Sequence, residues 1–129
     1  MDAFNNAITC GPMLRRILLE SKRVTDMTEQ IFPVVAPMDI KMPFVAYRRM
    51  DVDEASVKDE RGPMAADYQF QVFCDNWKQS LELADAITGA LCGCEDFPIR
   101  CISLSGASET YVAEANCFAQ ILDFKVRTY

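Results

Sequence analysis

Tyr68-Gln69-Phe70-Gln71-Val72-Phe73-Cys74-Asp75-Asn76-Trp77-Lys78-Gln79 contains a change of period that decides the fold class. Up to Cys74, apolar and polar side chains alternate, so successive residues face opposite sides of a strand and one side is dry. At Asp75-Asn76 the alternation stops. Asn76 is placed as a helix N-cap with Gln79 three residues on, the arrangement of a capping box. Trp77, Leu81, Ala84, Thr88 and Leu91 then share one helical stripe, broadened by Leu83 and Ile87, while Lys78, Glu82 and Asp85 face away. Gly93 stands where this helix should stop.

Upstream, Gly11-Pro12 puts a proline where a helix can begin, and Met13, Leu14, Ile17 and Leu18 recur at helical spacing. Arg15, Arg16, Glu20, Lys22 and Arg23 fill the opposite face, a solvated charged surface on which Arg16 and Glu20 stand four apart. A short strand is expected at Ile31-Phe32. Pro33 and Pro37 hold the residues after it in extended conformations, and Pro43 opens a firmer strand over Phe44–Met50. Asp51 to Gly62 is polar and acidic and reads as a long loop. The strands on either side of it are therefore expected to pair antiparallel, as a hairpin with a long tip.

Downstream, Ile99–Leu104 and Phe118–Val126 read as two further strands joined through Ser105-Gly106-Ala107-Ser108-Glu109. The order helix, two or three strands, helix, two strands predicts an α+β domain. Its expected form is an antiparallel β-sheet of four to five strands with two main helices packed on one face. Trp77, Leu81 and Leu91 are expected to pack against Phe70, Val72, Leu122 and Phe124. The 129 residues fit one domain, with residues 1–11 read as an N-terminal extension.

Composition narrows the function. Half the residues are apolar and a quarter are charged, as in a globular protein, and no apolar run approaches the ~20 residues of a membrane helix. The formal charge of −6 works against capture of a phosphate backbone. It is compatible with a wall past which a duplex moves without sticking. Met1-Asp2-Ala3-Phe4-Asn5-Asn6 has neither the basic start nor the apolar continuation of a secretory signal, so a reducing compartment is expected. Cys10, Cys74, Cys92, Cys94, Cys101 and Cys117 are accordingly read as reduced, mostly buried small hydrophobes.

Chemistry is sparse. The chain has no histidine, which removes the commonest general base and a favoured zinc ligand, and with them the Ser-His-Asp and Cys-His arrangements. The five glycines form no phosphate-binding loop. Cys92-Gly93-Cys94 lacks the spacing and the second knuckle of a structural zinc site, and Asp51, Asp53 and Glu54 lack the density of a calcium loop. No catalytic residue, metal or cofactor is expected, and the chain is not read as an enzyme.

Several stretches in fixed order carry a resemblance: Met13–Leu19, Ile31-Phe32-Pro33, Ala36-Pro37, Met42–Tyr47, Tyr68–Cys74, Leu83–Ile87 to Ala90-Leu91, and Ile121–Val126. Together they resemble the small tail-completion, or tail-terminator-like, proteins of long-tailed bacteriophages and prophages. The likeness spans about residue 12 to the C-terminus. Phe44 stands where that family usually has tyrosine, and the cysteines and N-terminal segment are departures. The resemblance implies a structural subunit that caps the tail tube and helps join it to the head, commonly as a hexameric ring. It implies tail-tube and head-connector proteins as partners, DNA passing through a lumen, no membrane, and assembly in the host bacterial cytoplasm before incorporation into the virion tail. No catalytic residues come with it.

Self-association is expected through the acidic loop, with Asp51, Asp53, Glu54, Lys58, Asp59, Glu60 and Arg61 as the candidate subunit-contact residues, together with sheet-edge residues. The reading from another class is a non-viral binding module, or an enzyme, that uses a pocket beside the sheet. Neighbouring genes for capsid, connector and tail tube would separate the two.

Overall fold

A computed structural model describes residues 6–53 and 64–129. The chain runs α1 (Gly11–Leu19), α2 (Lys22–Thr25), β1 (Ile31–Pro33), β2 (Phe44–Val52), β3 (Ala65–Cys74), α3 (Trp77–Cys92), β4 (Ile99–Val112) and β5 (Cys117–Thr128). The strands form one sheet in the order β1-β2-β3-β5-β4. All neighbours are antiparallel except β1 and β2, where Ile31 lies parallel beside Val45. The α+β class and the hairpin of β2 with β3 are as the sequence predicts.

The alternation in β3 sorts the two faces of the sheet. Ala66, Tyr68, Phe70, Val72 and Cys74 are buried toward the helices, while Asp67, Gln69, Gln71 and Phe73 are half-buried on the other face. Register carries this division across the sheet. Phe70 lies between Tyr47 and Leu122, and Tyr68 lies opposite Phe124. Phe70 stacks on Tyr47 at 5.2 Å and meets Phe124 edge-on at 5.7 Å, both favourable aromatic geometries. Leu14 and Leu18 of α1 and Leu83, Ile87 and Leu91 of α3 close this core.

Pro12 occupies the first turn of α1, as expected. Arg15 donates from Nε to the Ile31 carbonyl at 2.9 Å, tying α1 to the edge strand. The Arg16–Glu20 pair forms at 3.6 Å on the exposed face, where such a contact contributes little. Asn76 caps α3 by accepting from the Gln79 backbone N–H at 3.0 Å. Gly93 follows the last helical residue in a right-handed conformation.

Three expectations are corrected. Trp77 and Leu81 are not core residues: they are 48% and 39% exposed, and α3 buries Ser80, Leu83, Ala84, Ala86, Ile87 and Leu91 instead. The helix is rotated so that Leu83, Ile87 and Leu91, with Ser80, Ala84 and Ala86 between them, face the core, and it carries the bulky indole on its flank. Ser105–Glu109 is not a connection. It belongs to β4 and pairs with Asp123–Gln120 of β5, with a register shift between Leu104 and Gly106. Pairing along a continuous partner strand overrides the weak strand preference of Ser and Gly, and the glycine marks the bulge. The true turn lies later, at Ala113–Ala115 and at Asn116, whose φ of 50° is tolerated by its short amide side chain.

The third correction concerns the cysteines. Cys10, Cys74 and Cys117 are buried, but Cys92 and Cys101 are exposed and Cys94 is intermediate. Cys92 and Cys94 straddle the end of α3, where Cys94 packs partly against the core and Cys92 does not, and Cys101 sits on the outer face of β4. All six thiols are free.

Candidate assembly surfaces

The acidic loop leaves the sheet from a well-formed root. Asp51 stands opposite Asp67 in the β2–β3 ladder, and the Asp53 N–H donates to the Ala65 carbonyl at 3.0 Å. Asp51 accepts from the Val52 N–H at 2.8 Å. The like charges of Asp51 and Asp67 are offset by Lys125, whose ammonium lies 3.0 Å from Asp67 and which stands directly opposite it on the adjacent strand β5. Of the candidate contact residues, Asp51 and Asp53 therefore project together from the hairpin root. Glu54, Lys58, Asp59, Glu60 and Arg61 lie outside the described residues.

The sheet exposes two different edges. At one end β4 is long and, among the described residues, pairs only with β5, so one whole side of its backbone carries donors and acceptors without a strand partner there. At the other end β1 covers only Val45–Tyr47 of β2. From Arg48 onward β2 is itself the edge, and Arg48, Arg49 and Met50 are exposed. Such open edges are where a further strand or a neighbouring subunit docks.

The sheet face turned away from the helices carries no helix among the described residues. A polar ladder crosses it: Gln71 donates to Gln69 at 2.9 Å, and Gln69 donates to Asp123 at 3.1 Å. At one end Phe44 and Phe73 stack at 4.9 Å and stay half-buried. These residues escaped the sequence reading, although the alternation of β3 already placed Gln69, Gln71 and Phe73 together on one face.

Beside the β1–β2 edge lies an open groove of about 840 Å³ between the segment before α1 and the strands. Ile8, Pro12, Ile31, Phe32, Val34 and Tyr47 give it an apolar wall, and Arg15, Arg48 and Arg49 give it positive charge. Its floor is stitched by Tyr68, whose hydroxyl donates to the Ala7 carbonyl at 2.8 Å. Burial pushes the Tyr68 phenol far above its ordinary range and also raises the Cys10 thiol beside it and the Tyr47 phenol. Those groups stay protonated at neutral pH, which gives the groove no ready general base. Val34 forms its lip with φ of 65°, a conformation that strains a β-branched residue, and Val34, Val35 and Met38 are exposed.

The residues with metal or redox chemistry are not gathered. Burial raises the Cys94 thiol, and among the described residues no group of three Cys, Asp or Glu side chains is placed to hold a metal ion. Among the described residues no helix is long and apolar enough to cross a membrane.

Comparison with known proteins complements this geometry. No family model matches the chain, and no curated protein does. Among solved structures, its fold is similar to that of a chain described as "Virion of native gene transfer agent (GTA) particle". The TM-score is 0.71 and the identity 18%, over 89% of this chain and 90% of that one. The architecture built on Tyr68–Asn76 is thus one that also occurs, nearly end to end, in a component of a virus-like particle.

Proposed function

We propose that this chain is a structural virion-assembly protein of the tail-completion, or tail-terminator, type. It caps the end of a tail tube and joins it to the head as a ring of identical subunits, a hexamer in the form the sequence resemblance implies. The observation that carries this reading is the near full-length similarity of fold to a virion chain. The open edges support it: a ring subunit needs two different surfaces, one for each neighbour, and the β4 side and the β1–β2 side are different and lie at opposite ends of the sheet. The acidic root at Asp51 and Asp53 continues into the loop proposed to contact a neighbour or line the lumen, where negative charge lets DNA pass without sticking. No catalysis is assigned.

Light scattering across a concentration series tests the reading, with the native chain and a chain whose residues Val52 to Arg61 are replaced by a short glycine-serine link. The native chain should assemble, alone or on a tail-tube protein, into rings visible by negative-stain microscopy, and the loop variant should assemble more weakly. A native chain that stays monomeric even with tail-tube protein present would refute the assembly role.

A further inference from the structure

At the β4 end of the sheet, on the helix side, a small hollow of about 270 Å³ is lined by Trp77, Glu109, Thr110, Tyr111, Phe118 and Gln120. Three of these are aromatic. Trp77 and Tyr111 are each about half exposed, and Tyr111 meets Phe118 edge-on at 5.1 Å. The carboxylate among them is held in place, because Trp77 donates from Nε1 to Glu109 Oε2 at 3.1 Å and Gln120 donates from Nε2 to the same oxygen at 2.8 Å. Gln120 also donates to Ser80 at 3.1 Å, so its amide is anchored to α3. No hydrogen bond engages Oε1 among the described residues. Both donors favour the charged form, holding the Glu109 carboxyl below its ordinary range.

A fixed anion beside aromatic faces is complementary to a flat cation, which draws on both charge and the ring quadrupoles. The hollow is smaller than the ~300–1,000 Å³ of cofactor and drug-sized sites, which suits one side-chain head group. Guanidinium fits better than ammonium, since it stacks flat and can offer paired N–H groups to the free carboxylate oxygen.

The chain itself carries such a group at the opposite edge of its sheet. Of the arginines beside the β1–β2 groove, Arg15 is tied to the Ile31 carbonyl at 2.9 Å and Arg49 to the Ile8 carbonyl at 2.8 Å. Arg48 is exposed on β2 just beyond the end of β1 and has no hydrogen-bond or ion-pair partner among the described residues. One edge thus offers a free guanidinium and the other an aromatic anion site. Identical copies that meet head to tail bring two such opposite patches together, and the contact repeats around a closed ring.

We propose that the Trp77–Glu109–Tyr111–Phe118 hollow is the receiving site for Arg48 of the next copy of this chain. The inference rests on the ring reading above and names the contact that joins its subunits. Trp77 is the sole tryptophan, so its emission reports on this hollow alone.

The test follows light scattering and Trp77 emission together across a concentration series, on the full chain and on Glu109→Gln, Arg48→Gln and the double variant, with circular dichroism confirming that each is folded. The native emission should shift in step with assembly. Each single variant should raise the half-assembly concentration roughly tenfold or more, as loss of a close interfacial charge pair does. The double variant should be little worse than either single one, because both remove the same contact. Rings that form at the native concentration in both single variants would overturn this contact while leaving the ring itself intact. Additive effects, or a Trp77 shift that appears only when a different protein is added, would also overturn it. A native chain that never self-associates would overturn both the contact and the ring.

Discussion

Leu122→Ala is the sharpest check on how the sheet is faced. Leu122 lies at the middle of β5, 4% exposed, opposite Phe70 on one side and Ala107 on the other, within the core closed by α3. Truncation removes the carbons beyond Cβ, about 2.4 kcal/mol at ~0.8 kcal/mol per buried group. The rigid aromatic neighbours Phe70 and Phe124 cannot collapse fully into the space, so a cavity cost adds to this and the total should reach about 3 to 4 kcal/mol, within the ~2–5 kcal/mol seen for such changes. The control is the adjacent Ile121→Ala. Ile121 is half-buried on the face without helices, so its truncation should cost about 1 kcal/mol. Urea melts at a concentration too low for self-association would measure both. With a slope of about 1–3 kcal/mol per molar, the Leu122 variant should lose roughly 1 to 4 M of midpoint and the Ile121 variant roughly 0.3 to 1 M, about a third as much at any one slope. A Leu122 loss below ~1 kcal/mol, or an Ile121 loss exceeding it, would mean that the wrong face has been assigned to the core.

Thiol labelling of the native chain should show two fast sites, Cys92 and Cys101, a slower Cys94, and three protected sites, Cys10, Cys74 and Cys117; six equally fast thiols would contradict the burial pattern. Stability should fall on the alkaline side. Burial, with Asp75 and Cys117 adding, pushes the Cys74 thiol up to about 11, whereas in the unfolded chain it ionises near 9.0. Its stabilising contribution is therefore complete below pH ~9 and is lost as pH rises through ~11, and Cys74→Ala should flatten that part of a stability-versus-pH curve. Asn76→Ala removes the acceptor for the Gln79 N–H and should cost about 1 kcal/mol in a thermal melt; an unchanged melt would show that the cap contributes nothing.

Local physics made part of this molecule legible in advance. The alternation through Tyr68–Cys74 and the cap at Asn76 follow from side-chain direction and from backbone groups that need partners within a few residues. The start of α1 at Gly11-Pro12, the short strand at Ile31-Phe32 and the strand opened by Pro43 follow from proline's fixed φ in the same way. The α+β order then needs only that a one-sided strand and an amphipathic helix cover each other. Of the candidate contact residues, the sequence places Asp51 and Asp53 beside each other, and the structure keeps them at the hairpin root.

What the sequence alone could not decide depends on partners far along the chain. Ser105–Glu109 looks like a turn until β5 runs alongside it, because an extended conformation of weak strand formers is stabilised only by the ladder that a distant strand supplies. Trp77 looks like a core residue until α3 settles on Leu83, Ile87 and Leu91, since hydrophobicity predicts burial but the rotation of a helix is set by the sheet under it. The Glu109 site needs both outcomes at once. It exists because β4 continues past Gly106 and because the indole is left on the flank of α3, where its N–H reaches a carboxylate 32 residues away in sequence. Sequence by itself determined where most elements begin and the dry face of β3, because those are settled between near neighbours. The two unlike edges and the hollow at one of them were decided only by the tertiary structure, because strand order and helix rotation are settled between residues that meet only when the chain has folded.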